Sequence, residues 1–180
     1  MQLYKNYLEQ SEFGSYEDYL KNFRIEVPEH FNFAVDIVDE LAEKTPDARA
    51  LVWCNPEGEE KVFTFADISR ESKRCARMLT NLGIKKGDFV MLVLKRHYEF
   101  WFSILALHRI GAIAVPATHL LTKKDVVYRA QAADIKMIIA AILIPVICGF
   151  AATVIISKLQ TRPAHRRDRI DPVSREDSDL

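Results

Sequence analysis

The chain has 180 residues, and 25 Lys and Arg are balanced by 25 Asp and Glu, so the net charge is zero. That balance leaves no electrostatic footprint for nucleic acid at the level of the whole chain. With 49% hydrophobic and 28% charged residues the composition is that of a globular protein and excludes a disordered one. The length allows one domain and an appendage. Cys54, Cys75 and Cys148 are far apart and form no CxxC or Cys/His cluster, so neither a disulfide framework nor a zinc site is supported. The first residues, "MQLYKNYLEQSEF", hold no apolar core of signal-peptide length, which places the first domain in the cytoplasm as an expectation.

Ser15 has the character of an N-cap for a short helix over Tyr16–Phe23, before Pro28. Next, Asn32 stands in a cap position, and Phe33, Ile37, Val38, Leu41 and Ala42 make one stripe of an amphipathic helix that Pro46 closes. Ala50–Cys54 and Lys61–Phe63 flank "NPEG", a turn by its residues, and predict a β-hairpin. Thr64 with Asp67 three residues on starts another helix; Ile68, Cys75, Ala76, Leu79 and Leu82 form its buried face and Gly83 ends it.

Phe89–Leu94 is short and wholly apolar, the pattern of a strand buried on both faces in a parallel sheet. Tyr98–Ile110 follows as a helix apolar nearly all round, with Gly111 where a left-handed C-cap residue is wanted. Ile113–Val115 is then a second buried strand, stopped by Pro116, which cannot donate to a ladder. Strand, crossover helix and strand make a βαβ unit with parallel strands, so the fold class is α/β. Thr122–Ala133 reads as a polar-faced helix and Lys136–Ala140 as a third strand.

From Met137 to Ser157 run 21 residues without a charge, enough to cross about 30 Å of hydrocarbon as a helix. A transmembrane helix over 137–157 is therefore expected, kinked at Pro145. The other reading is a buried strand at Met137–Ala140 with a core helix over Ile142–Ile156. Pro145 and Gly149 weigh against it, because each is costly inside a helix in water. Lys158, Arg162, Arg166, Arg167 and Arg169 crowd the next segment, and the last residues are mainly acidic, so 158–180 is expected to be a disordered tail. A membrane location follows from the span, with a cytoplasmic one as its alternative.

The phrases "VPEHFNFAVDIVDELAEKTPDARALVWCN", "FTFADISRESKRCARML" and "LGIKKGDFVMLVLKRHYEFWFSILALHRIGAIAVPATHLLTKKDVVYR" together resemble the N-terminal part of an AMP-forming acyl-CoA synthetase. The likeness is to medium-chain and acetyl-CoA-synthetase-like members of the adenylate-forming superfamily, and it covers residues 1–139. It implies the incomplete N-terminal portion of that α/β fold, with an unrelated apolar tail joined after it. It also implies a family reaction in which a fatty or small carboxylic acid, ATP with Mg2+, and coenzyme A give an acyl-CoA. The glycines of this chain stand singly, so the Gly-rich phosphate-gripping loop of the family is missing, as are its adenine and ribose contacts and its catalytic Lys. No cofactor is expected to be bound by the chain alone.

In open α/β sheets ligands bind beyond the carboxyl ends of the strands. Here those ends are Lys95-Arg96-His97 and Pro116-Ala117-Thr118-His119-Leu120. The resemblance implies that Thr118, His119 and Leu120 border the acyl and coenzyme A side of the cleft. A solvated strand exit and a capped turn are the plainer reading of the same residues. His30, His97, His108 and His119 show no ligand spacing, so no metal site is assigned, and no catalytic residue either. Two functions stay open: a truncated synthetase inactive alone, and a membrane-tethered scaffold that pairs with a complete synthetase.

Overall fold

The structure is a computed structural model that describes residues 3–142 and 153–158. After a 3-10 turn at Leu3–Asn6, helix α1 spans Tyr16–Asn22, and its N-cap Ser15 accepts from the Asp18 N–H. Asn32 caps the next helix as expected, its side chain accepting from Ala34 N–H, but the first seven residues, Phe33–Asp39, wind as a π-helix before α2 (Glu40–Lys44). The wider turn changes which side chains face inward. Ala34 and Val38 are buried, whereas Phe33, expected in the core stripe, is exposed.

Strands β1 (Arg49–Cys54) and β2 (Glu60–Thr64) form the expected antiparallel hairpin. Helix α3 (Phe65–Asn81) opens with a capping box, in which Thr64 and Asp67 each accept the other's backbone N–H. Its buried residues are Ile68, Ser69, Ser72, Ala76 and Leu79; Leu82 lies beyond the helix and is exposed, contrary to expectation.

A four-stranded sheet follows, in the order β4-β3-β5-β6. β3 (Phe89–Val93) pairs in parallel with β4 (Ile113–Pro116) on one side and with β5 (Ile135–Ile142) on the other. Helix α4 (Glu99–Ile110) joins β3 to β4 and ends at Gly111, which has φ +69°. Helix α5 (Lys123–Ala132) joins β4 to β5 and opens with a second capping box, Thr122 with Asp125. β4 is an edge strand rather than the expected buried one, and Ile113 is 42% exposed. An edge is where Pro116 can be tolerated.

Alternation along β3 divides the core. Val90 and Leu92 face α3 and α4 and pack with Leu79, Ala106, Leu107, Met137 and Ile139. Met91 faces the other way, with Ala130 of α5 and Ile135. A register irregularity between Phe89 and Val90 lets Ile135 and Met137, two residues apart, reach opposite faces. Ala34, Val38, Ile68 and Leu105 form a further cluster, against which the hairpin residues Leu51 and Phe63 pack.

The expected membrane helix over 137–157 is corrected by the two ends of that stretch. Met137–Ile142 lies in β5, and Thr153–Ser157 lies in β6 (Thr153–Lys158), which pairs antiparallel with β5 from Ile142↔Thr153 to Met137↔Lys158. No described helix is long and apolar enough to cross a membrane. Lack of charge over 21 residues is equally the mark of two strands in a buried sheet, and the β-branched isoleucines suit strands. The core-helix alternative over Ile142–Ile156 is corrected by the same pairing. Lys158, expected to open a disordered tail over 158–180, instead ends β6, and residues 143–152 and 159–180 lie outside the described residues.

Candidate functional site

β3 and β4 are neighbours, yet their connections leave to opposite faces: β3 leads into α4 on the α3 side, β4 into α5 on the other. The carboxyl ends of two such strands bound the crevice where open α/β sheets take ligands. Both segments singled out from the sequence, Lys95–His97 and Ala117–Leu120, stand there.

On the β4 side, Ala117 N–H still donates to Leu92 O at 2.9 Å, and the chain then turns away. Thr118 Oγ1 accepts the Leu120 N–H at 3.2 Å, a local turn that fixes the loop. Thr118, His119 and Leu120 are exposed, Leu120 by 75%. All three follow the carboxyl end of β4, which pairs with β3.

On the β3 side, Lys95 and Arg96 are exposed, and Arg96 has φ +48°. His97 Nδ1 lies 3.8 Å from Glu99 Oε2, a buried oxygen without a hydrogen-bond partner. The hairpin closes over this connection. Trp53 Nε1 donates to Arg96 O at 2.5 Å, and Lys61 Nζ donates to Tyr98 OH at 2.8 Å while standing 4.5 Å from the centre of the same ring. The Tyr98 hydrogen bond raises the Lys61 pKa and keeps the ammonium charged. Trp53 meets Tyr98 edge to face at 5.4 Å, and Phe63 and Phe102 complete the aromatic group. Tyr98, Phe100 and Phe102 are half-buried, whereas Trp101, on a helix expected to be apolar nearly all round, is 50% exposed. The hairpin's part in shaping the β3 exit was not foreseen.

Further from the crevice, Asp39 is the centre of a network across three helical segments. Its carboxylate accepts from Arg109 Nη1 and Nη2, each at 2.7 Å, and from Ser69 Oγ at 2.6 Å, and Lys73 Nζ is 3.3 Å away. Arg109 Nε also donates to Ser72 Oγ at 3.0 Å. Burial by itself pushes the Asp39 carboxyl up; the Arg109 and Ser69 hydrogen bonds, the Arg109 charge and Lys73 overcome it and bring the pKa to about 2. Satisfied on every side, this network is structural. His108, whose Nδ1 is buried and unpaired, has its pKa lowered by burial.

Among the described residues no group of three or more His, Cys, Asp or Glu could hold a metal ion. The glycines at positive φ (Gly58, Gly83, Gly87 and Gly111) belong to separate turns, so they make no phosphate cradle. Lys95, Arg96 and His119 are exposed polar side chains on the segments that follow β3 and β4.

A fold with these strand ends at a topological switch point is that of a ligand-binding α/β domain. The AMP-binding enzyme family profile matches residues 38–178, and the chain belongs to that family. The match runs through the apolar stretch to residue 178, so an unrelated sequence joined after residue 139 is not supported. The chain is 37% identical over 145 residues to the mouse mitochondrial acyl-coenzyme A synthetase ACSM3, covering 76% of this chain and 25% of that protein. It is 42% identical over 121 residues to rat mitochondrial ACSM5, covering 64% and 21%. Among solved structures, a Brucella canis acyl-CoA synthetase superposes with a TM-score of 0.56 at 28% identity, over 60% of this chain and 20% of that one. A Mycobacterium tuberculosis fatty acyl CoA synthetase gives 0.53 at 28%, over 58% and 20%. The likeness is to AMP-dependent acyl-CoA ligases, and the chain spans about a quarter of the length of the curated relatives it matches.

Proposed function

We propose that this chain is the N-terminal portion of an AMP-forming acyl-CoA ligase and contributes one wall of its substrate cleft. The reaction joins a carboxylic acid to coenzyme A, with ATP cleaved to AMP and pyrophosphate. The observation that carries the reading is the family match over 38–178, together with the parallel pairing of β3 and β4, beyond whose carboxyl ends open α/β sheets take ligands. In this proposal Thr118, His119 and Leu120 border the acyl and coenzyme A side, and Lys95 and Arg96 face an anionic part of the substrates. The phosphate grip, the metal and the catalytic lysine come from the remainder of a synthetase, so residues 1–180 alone do not form acyl-adenylates. The scaffold reading has no observation in its favour among the described residues.

Carboxylate-dependent exchange of labelled pyrophosphate into ATP tests this directly. The purified chain alone is expected to sit at background. Co-expressed with an acyl-CoA synthetase polypeptide that lacks its own matching quarter, it is expected to restore exchange. Exchange by the chain alone with several fatty acids would overturn the division of labour proposed.

A further inference from the structure

Arg96 is one of two non-glycine residues at positive φ among those described; the other is Asp134, at the same +48°. An aspartate tolerates the left-handed region because its short polar side chain bonds locally, whereas a long side chain with an ordinary Cβ is disfavoured there. Such a conformation persists only where the surroundings over-determine it, and it collects at functional sites. At Arg96 the surroundings are visible. The carbonyl of this residue accepts the Trp53 indole N–H at 2.5 Å, across 43 residues of sequence. The next residue but one, Tyr98, is held by Lys61, the cross-strand partner of Trp53.

We infer that Trp53 is a positioning residue: its indole N–H holds Arg96 left-handed and so sets the exit of β3 at the ligand crevice, toward the anionic part of a substrate. The inference about substrate rests on the proposed function; the clamp itself does not. Without the indole donor, Arg96 relaxes toward negative φ, and the start of α4 loses the carbonyls that order it. Those carbonyls are His97 O, which accepts Phe100 N–H at 3.2 Å, and Tyr98 O, which accepts Trp101 N–H at 3.0 Å.

Trp53→Phe in the full chain keeps an aromatic ring against Tyr98 and removes only the donor. Amide hydrogen exchange at Phe100 and Trp101 is expected to accelerate about fivefold, the size of one neutral hydrogen bond's net effect on a local equilibrium. Adding Arg96→Gly should return exchange to the original rate, because glycine occupies the left-handed region freely. Unchanged exchange in Trp53→Phe overturns the clamp. Acceleration that Arg96→Gly does not rescue also overturns it, since Trp53 would then act by packing alone. In the restored synthetase, Trp53→Phe should raise KM for coenzyme A or the carboxylate about fivefold, in line with the same equilibrium, at unchanged kcat. An unmoved KM overturns the link to substrate. Expected exchange behaviour with no activity in the restored pair supports the clamp and counts against the proposed function instead.

Discussion

Asp39 and Arg109 pair through two hydrogen bonds while both are largely removed from water, so the pair must be judged by what its loss leaves behind. Breaking a buried pair strands a charge, which costs more than the pair itself contributes. Asp39→Asn is expected to destabilise the fold by about 3 kcal/mol, read from urea unfolding. The carboxyl titrates near 2 in the folded chain against 3.8 as the ordinary value. A depressed folded pKa means stability fully present above about pH 3.8 and lost as pH falls through about 2. The contribution is on the order of 2 kcal/mol. Other carboxyls, including Asp67 and Asp125, are also lowered, so the readout is the difference between parent and variant. That difference should shrink steadily from pH 4 to pH 2; a constant difference would show that Asp39 is not the titrating group. Gly111 is a second position where one residue decides. At φ +69°, and with a built Cβ 3.0 Å from Lys86 Cγ, Gly111→Ala should cost about 1–2 kcal/mol, seen as a lower melting temperature.

At the scale of elements, the two capping boxes explain why α3 and α5 begin where they do. Thr64→Ala and Thr122→Ala each remove the acceptor for one N3 amide, and each is expected to cost about 1 kcal/mol in thermal or urea unfolding. A neutral outcome at both positions would show that tertiary packing alone fixes these starts. The boxes were legible because they are short patterns in sequence, as were Gly111 and the apolar run of β3. Burial on both faces was less so. β4 shares the apolar character of β3, and only the strand order, which no local pattern carries, makes it an edge. Met137–Ser157 misled for a related reason: a length without charge fits one membrane helix or two buried strands, and periodicity does not separate them. The π-helical winding of Phe33–Asp39 shifted a correctly capped helix so that Phe33 left the core. The carboxyl ends of the strands could be located by the general rule for α/β sheets. The Trp53 and Lys61 contacts that shape one of them could not, since 43 and 37 residues separate the partners.

The whole molecule turns on β3, which carries one core on each face. Leu92, fully buried, packs toward α3 and α4, and Met91, equally buried, packs toward α5. One strand cannot keep its place in the sheet for one face and lose it for the other. The two cores should therefore melt together, as small domains do when their parts are mutually required. Leu92→Ala and Met91→Ala are each expected to cost about 2–5 kcal/mol, the range for truncating a buried Leu or Met. Both tryptophans, Trp53 and Trp101, stand on the α3 and α4 side, because the hairpin packs there and Trp101 is part of α4. Tryptophan fluorescence thus follows one side, and far-UV circular dichroism follows the whole chain. In both variants the two probes should give one coincident urea transition, shifted to lower concentration. If Met91→Ala left the tryptophan transition in place while part of the dichroism signal melted early, the α5 side would be a separate unit, and the sheet would not bind the chain into a single cooperative fold.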